Sequence, residues 1–139
     1  MNSTIAEPGI RLAVVPIGGI VIGGAMTATT LAARRALDAV ADRRGEVEAG
    51  MALGLTDTEA RREVTRPAAA DAMLPALDQT RTVGLVTLPG AFVGMLLGGA
   101  SAVEAGSVQL LVLLALLAAE VIAVVGVAEL VASGRLHRP

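Results

Sequence analysis

EVEAGMALGLTDTEARREVTRPAAADAMLP, residues 46–75, is the charged middle of an otherwise oily chain. No residue of 12–33 is charged, and none of 82–103. Between Glu104 and Glu129 the one charge is Glu120. About 20 apolar residues cross a membrane as a helix, because each advances roughly 1.5 Å through a core of about 30 Å. Three runs of that kind, at 12–33, 82–103 and 107–131, predict an all-α polytopic membrane protein with three transmembrane helices. Segment 34–81 is then a helical cytoplasmic loop. A soluble bundle would need a polar face on each helix, and these runs have none.

Composition removes several functions. The chain is 54% hydrophobic, with no Cys, no Trp and one aromatic residue, Phe92. Without Cys there are no disulfides, thiolate metal sites or thiol nucleophiles. All eleven basic residues are Arg. A phosphate-binding GxxxxGK[ST] loop needs Lys, so this chain does not hydrolyse nucleotide in that way, and it is expected to be no enzyme and to carry no cofactor. A net charge of −2 gives nucleic acid no purchase. Eight of the eleven arginines fall within 34–81 and two more in the tail, so the positive-inside rule places the loop and the C-terminus in the cytoplasm. His137, in that tail, has no neighbour of metal-ligand type.

Within the loop the local signals are sharp. The helix entered at 12 is expected to continue past Arg34 and Arg35 to about Leu53. Leu37, Val40, Val47 and Met51 recur on one stripe of it. That stripe must be covered, either by the rest of the loop or by a groove on a partner. Gly54 suits the left-handed position after a helix. Thr56 with Glu59 three residues on is a capping box that opens a helix over 57–66. Pro67 is expected to start a further turn towards Pro75.

The membrane runs carry their own punctuation. Gly19 and Gly23 form a GxxxG pair, as do Gly90 and Gly94, and small residues at that spacing let helices approach closely. Gly24 or Met26 could instead border a substrate path. Pro89, followed by Gly90, is expected to kink the middle of the second span, since proline removes a backbone hydrogen bond. That kink either serves packing or hinges a translocation path through Gly84, Pro89, Gly90 and Gly94. Glu120 is an intramembrane carboxylate. It marks either a functional polar site or a group that reaches the interface or a basic partner.

Two resemblances follow. Glu48, Ala49 and Gly54 resemble the EAA signature of ABC importers, with Gly50 at the second Ala; Val64 and Pro67 keep the spacing, and Arg66 stands where the signature has Leu. PIGGIVIGGAMTA (16–28), RRGEVEAGMALG (43–54), Leu74-Pro75, GLVTLPGAFVGMLLGG (84–99) and Glu104-Ala105 with Gln109 resemble successive blocks of the FetB-type permease family. Those blocks lie in the C-terminal part of a family nearly twice this length, so the chain is expected to lack upstream helices. Ile20, Gly24, Ala91, Phe92 and Ala102 depart from the family pattern.

The resemblance implies the membrane subunit of an ABC transporter linked to iron or other metal export. Its expected partners are an ABC ATPase subunit, a second permease copy and the lipid bilayer. The expected coupling surface is Val47, Glu48, Met51, Gly54, Thr56 and Glu59. Two rival readings stand beside it: a small accessory membrane protein, and a secondary transporter that uses Glu120 as a proton relay.

Overall fold

The structure, a computed structural model, describes the backbone of residues 8–82 and 89–137 and the side chains of 16–82 and 89–137. Every regular element among them is helical. They are α1 (Pro8–Asp42), α2 (Arg44–Ala52), α3 (Asp57–Ala70), a 3-10 turn (Asp71–Met73), α4 (Leu74–Thr82), α5 (Gly90–Leu97) and α6 (Ala102–Ala132).

Two helices are long and apolar enough to cross a membrane, Pro16–Asp42 within α1 and Ala102–Ala132. At about 1.5 Å per residue, the 35 residues of α1 and the 31 of α6 both exceed a core of about 30 Å. α3 packs against both towards their C-terminal ends.

α1 and α6 run side by side in the same direction. Ile20 borders Gln109 and Leu113, and Gly24 borders Leu116 and Glu120. Further along, Ala28, Ala32 and Ala36 meet Val124, Val127, Ala128 and Val131. Alanine every fourth residue puts one methyl per turn on the contact stripe, so the backbones come close without glycine. Ala69 and Ala72, from α3 and the 3-10 turn, complete this core, and Ala32, Ala36 and Ala69 have no exposed surface.

At the same end Glu129 of α6 accepts from Arg62 at 2.7 and 3.1 Å and from Arg66 at 3.2 Å. Arg35 of α1 pairs with Asp71 at 3.6 Å. The loop helices are therefore fastened to both long helices.

Several elements depart from the sequence expectations. The first helix does not continue to Leu53: the chain turns at Arg43, whose Nε donates to Glu46 at 2.7 Å. The turn swings α2 onto α3, and Val47 becomes buried against Ala60 and Val64, with Val40 beside them. Pro67 lies inside α3 and does not start a new turn. It frees the carbonyl of Glu63, a residue exposed to solvent, so the helix survives to Ala70.

α6 begins at Ala102, five residues before the expected start. Ser101 and Glu104 form a capping box there, with Ser101 Oγ accepting from the Glu104 N–H. Of the expected 82–103 span, the described helix is α5, closed by Gly98 and by Gly99 at φ +89°. Pro89 does not kink a helix from within. It is the extended residue before α5 (φ −63°, ψ 139°). Residues 83–88, Gly84 among them, lie outside the described residues.

Candidate functional site

Two features can carry function: the exposed tip of the α2–α3 pair, and a polar cavity between α1, α4 and α6.

The tip is built by backbone constraint. Leu53 ends α2, its N–H bonded to the Ala49 and Gly50 carbonyls, and Gly54 follows at φ +100°, which side chains other than glycine rarely adopt. Thr56 then caps α3. Its Oγ1 accepts from the Glu59 N–H at 3.3 Å, while Glu59 accepts from the Thr56 N–H at 2.8 Å. These bonds from Thr56 hold the Glu59 carboxyl below the usual carboxylate range. Gly50 lets α2 cross α3 closely, since a Cβ there would stand 3.2 Å from that of Ala60.

The expected coupling residues divide across this tip. Val47 is buried in the α2–α3 seam, so the loop itself covers that part of the stripe. Glu48 is exposed and pairs with Arg44 at 3.5 Å. Met51 and Leu55 are exposed at 40%, and Leu53 at 88%. An apolar knob therefore sits on a rigid helical pair, rimmed by charge. Leu53 and Leu55 were missed in the sequence because they lie in the turn, off the stripe.

The cavity lies deeper. Its volume is about 260 Å³, and its walls include Gly23, Gly24 and Thr27 of α1, Gln79 of α4, and Leu116 and Glu120 of α6. Glu120 is 7% exposed, and its Oε2 has no hydrogen-bond partner among the described residues. No ion pair to Glu120 is seen among the described residues. Gly24 provides its room: a Cβ there would stand 2.8 Å from Glu120 Oε1 and would collide with Leu116 Cδ1.

A second cavity of about 280 Å³ adjoins the first, sharing Ile20, Gln79 and Leu116, and reaches Pro89, Gly90 and Gln109. Gln109 is 9% exposed, and its Oε1 also lacks a partner among the described residues. Gln109 and Glu120 are eleven residues apart, three helical turns, so they share one face of α6 about 16 Å apart. That spacing inside an apolar run was the sequence signal for Gln109, and it went unread.

The glycine pairs do not act as expected. A Cβ at Gly19, Gly23, Gly90 or Gly94 would meet nothing within 4 Å, so neither GxxxG pair brings helices together among the described residues. Met26 is exposed and lines neither cavity. Among the described residues no cluster of three or more His, Cys, Asp or Glu could hold a metal ion.

Residues 8–134 match the family described as Uncharacterised protein family (UPF0014). The chain belongs to this family. UPF0014 relatives include the rice (Oryza sativa subsp. japonica) "UPF0014 membrane protein STAR2", 37% identical over 109 residues, 78% of this chain and 38% of the relative. "Protein ALUMINUM SENSITIVE 3" of Arabidopsis thaliana is 38% identical over 99 residues, 71% of this chain and 36% of that protein. The "Probable iron export permease protein FetB" of Escherichia coli K12 is 32% identical over 108 residues, 78% and 42% respectively. The chain thus spans about two fifths of the length of these relatives. No solved structure matches it. Membership, with the two long apolar helices, makes this an all-helical membrane protein.

Proposed function

We propose that this chain is membrane-spanning permease structure of an ABC transporter, driven by a separate ATPase subunit that docks on the α2–α3 tip. The observation that carries the reading is the exposed Met51–Leu53–Leu55 knob on a helical pair fastened to both long helices. A push on such a tip passes through Glu129–Arg62 and the alanine core into α1 and α6, not into a slack loop. ATP can drive the permease only through contacts that differ between its states, and this tip is where such contacts would form. Metal export is the cargo class that the printed name of the bacterial relative points to.

Topology belongs to the same proposal. Two spans that run in the same direction require a return crossing between them. α4 starts beside Ala72 in the α1–α6 core and reaches Thr82 near Pro89 and Gln109, so the return crossing is proposed to lie between α3 and α6, with α5 as its described apolar helix. With the arginine bias, the α2–α3 tip and the C-terminus are cytoplasmic.

Copurification tests this reading. The tagged chain, co-expressed with the ABC ATPase subunits of its genome, should retain one of them. Gly54→Val, which forces a side chain into the left-handed region, should lose it while still inserting into the membrane. Retention of no ATPase by the unaltered chain, or equal retention by the variant, would count against the proposal. Glu120, whose Oε2 has no hydrogen-bond partner among the described residues, favours one rival, a secondary transporter; transport that follows a proton gradient and ignores ATP would establish that rival instead.

A further inference from the structure

We propose that the cavity between α1, α4 and α6 binds a small primary ammonium ion, an alkylamine in its charged form, with Glu120 as its counter-ion. Glu120 is more than nine-tenths buried, lines the cavity, and has in Oε2 an acceptor without a hydrogen-bond partner among the described residues. Gly24 lies against it and is ten residues from Arg34, about 15 Å along α1, which is half of a core of about 30 Å. A carboxylate at that depth is costly unless a cation pairs with it. The ion pairs seen among the described residues leave Glu120 out.

The acceptor set selects the kind of cation. A hard metal ion takes about six or more oxygen ligands, and one carboxylate in an apolar wall does not supply them. An ammonium group needs less: one anion and two further acceptors satisfy its three N–H donors. The cavity offers that number. Its other polar walls are Thr27 and Gln79. Thr27 donates its hydroxyl proton to the Gly23 carbonyl at 3.0 Å, so its oxygen can still accept. Gln79 adds an amide oxygen. Ile20, Leu31 and Leu116 give the alkyl chain an apolar wall. A volume of about 260 Å³ holds on the order of nine water-sized groups at about 30 Å³ each, which suits a short amine. Phe92, the chain's one Phe, Tyr or Trp, is not on this wall, so no aromatic cage serves a quaternary ammonium and N–H donors must carry recognition. Gly24 keeps the site open, because a Cβ there would stand 2.8 Å from Glu120 Oε1.

Binding rests on the cavity alone and not on the permease proposal. The full chain in lipid nanodiscs is dialysed to equilibrium against labelled n-butylammonium at neutral pH, with empty nanodiscs as the lipid background. One saturable site per chain is expected. 1-Butanol, which lacks the charge, and tetramethylammonium, which lacks the N–H donors, should compete at least about tenfold more weakly. Glu120→Gln should weaken binding at least about tenfold, the scale of losing a charged hydrogen-bond partner. Thr27→Val, which removes one of three acceptors, should weaken it about threefold. Gly24→Ala should act like Glu120→Gln, while Gly19→Ala, whose Cβ meets nothing, should leave binding unchanged. Glu120→Asp keeps the charge and should bind within about tenfold of the unaltered chain, which guards against a loss caused by misfolding.

Absence of saturable binding by the unaltered chain overturns the site, as does equal binding by Glu120→Gln. Displacement at equal concentration by 1-butanol would leave only an apolar void, and displacement by Mn2+ would make the carboxylate a metal ligand; either overturns it. Loss of binding in Glu120→Asp as well as Glu120→Gln, with helicity unchanged, also overturns it, because the retained charge should still hold the amine. Copurification of an ATPase is read at the α2–α3 tip, so failure of the site leaves the permease proposal standing, and the reverse.

Discussion

The two ends of the α1–α6 pair are packed by different rules. At the C-terminal end, alanines 28, 32 and 36 lock against Val124–Val131 while α3 lies across them, tied by Glu129 to Arg62 and Arg66. At the other end, α5 packs on α6 but is parted from α1 by an apolar groove of about 860 Å³ bordered by Pro16, Ile17, Gly90 and Gly94. Leu97, Val103 and Leu111 are exposed there, and the glycines have open space beside them. One end is a finished helical core. The other presents apolar surface that lipid or further helices must cover. Glu120 sits between the two, where the core gives way to cavity. A protein that receives a push at one end and opens at the other would be divided in this way.

The largest effect should come from spoiling the packed end. Ala32→Leu places a branched side chain where no surface is exposed, and overpacking of this kind costs about 1–3 kcal/mol. Thermal unfolding in nanodiscs should show it as a lowered Tm. Gly19→Ala at the open end should leave Tm unchanged or raise it slightly, since its Cβ meets nothing. Equal losses at both positions would erase the distinction between the ends.

The cap on α3 should come next. Thr56→Ala removes the acceptor for the Glu59 N–H and should cost about 1 kcal/mol of helix stability. Its pH dependence sharpens the test. The folded Glu59 carboxyl is held below its ordinary value by Thr56, so its contribution is complete above the ordinary glutamate range near about 4.3. That contribution is lost as the pH falls through the depressed folded value. Acidification should therefore destabilise the unaltered chain more than Thr56→Ala, and parallel pH profiles would remove the cap from the account.

The smallest effect on stability should be at the tip. Leu53→Asp changes a side chain that is 88% exposed, and surface changes of that sort stay within about 0.5 kcal/mol. If Tm falls well beyond that, Leu53 is a packing residue and not a docking one.

The sequence was most legible where the signal is local. Gly54 and the Thr56–Glu59 box needed only neighbouring residues, and both stand in the structure as the residue types require. Ser101–Glu104 carries the same signature and opens α6 five residues before the start expected from the apolar run alone. Long-range features were harder. Alanine at 28, 32 and 36 is ordinary helix composition until α6 is laid against it, whereas Gly19–Gly23 looked like an interface and meets nothing. Pro67 and Pro89 show the same limit. One stays within a helix, where the carbonyl it frees belongs to the exposed residue Glu63, and the other precedes a helix, and neither outcome can be derived from the residue alone. Glu120 was conspicuous in the sequence, but that its Oε2 lacks a hydrogen-bond partner among the described residues depends on elements that converge only in space.

The most direct test of a driven tip is a cross-link. The chain has no native cysteine, so Leu53→Cys and Val103→Cys give unique thiols at opposite ends of the molecule. Membranes that contain the chain and the ABC ATPase subunit proposed to drive it are treated with a short thiol-reactive cross-linker, with and without ATP. The account predicts an adduct between position 53 and the ATPase whose yield changes with ATP, and none from position 103. No adduct at 53, or one that is indifferent to ATP, would contradict it.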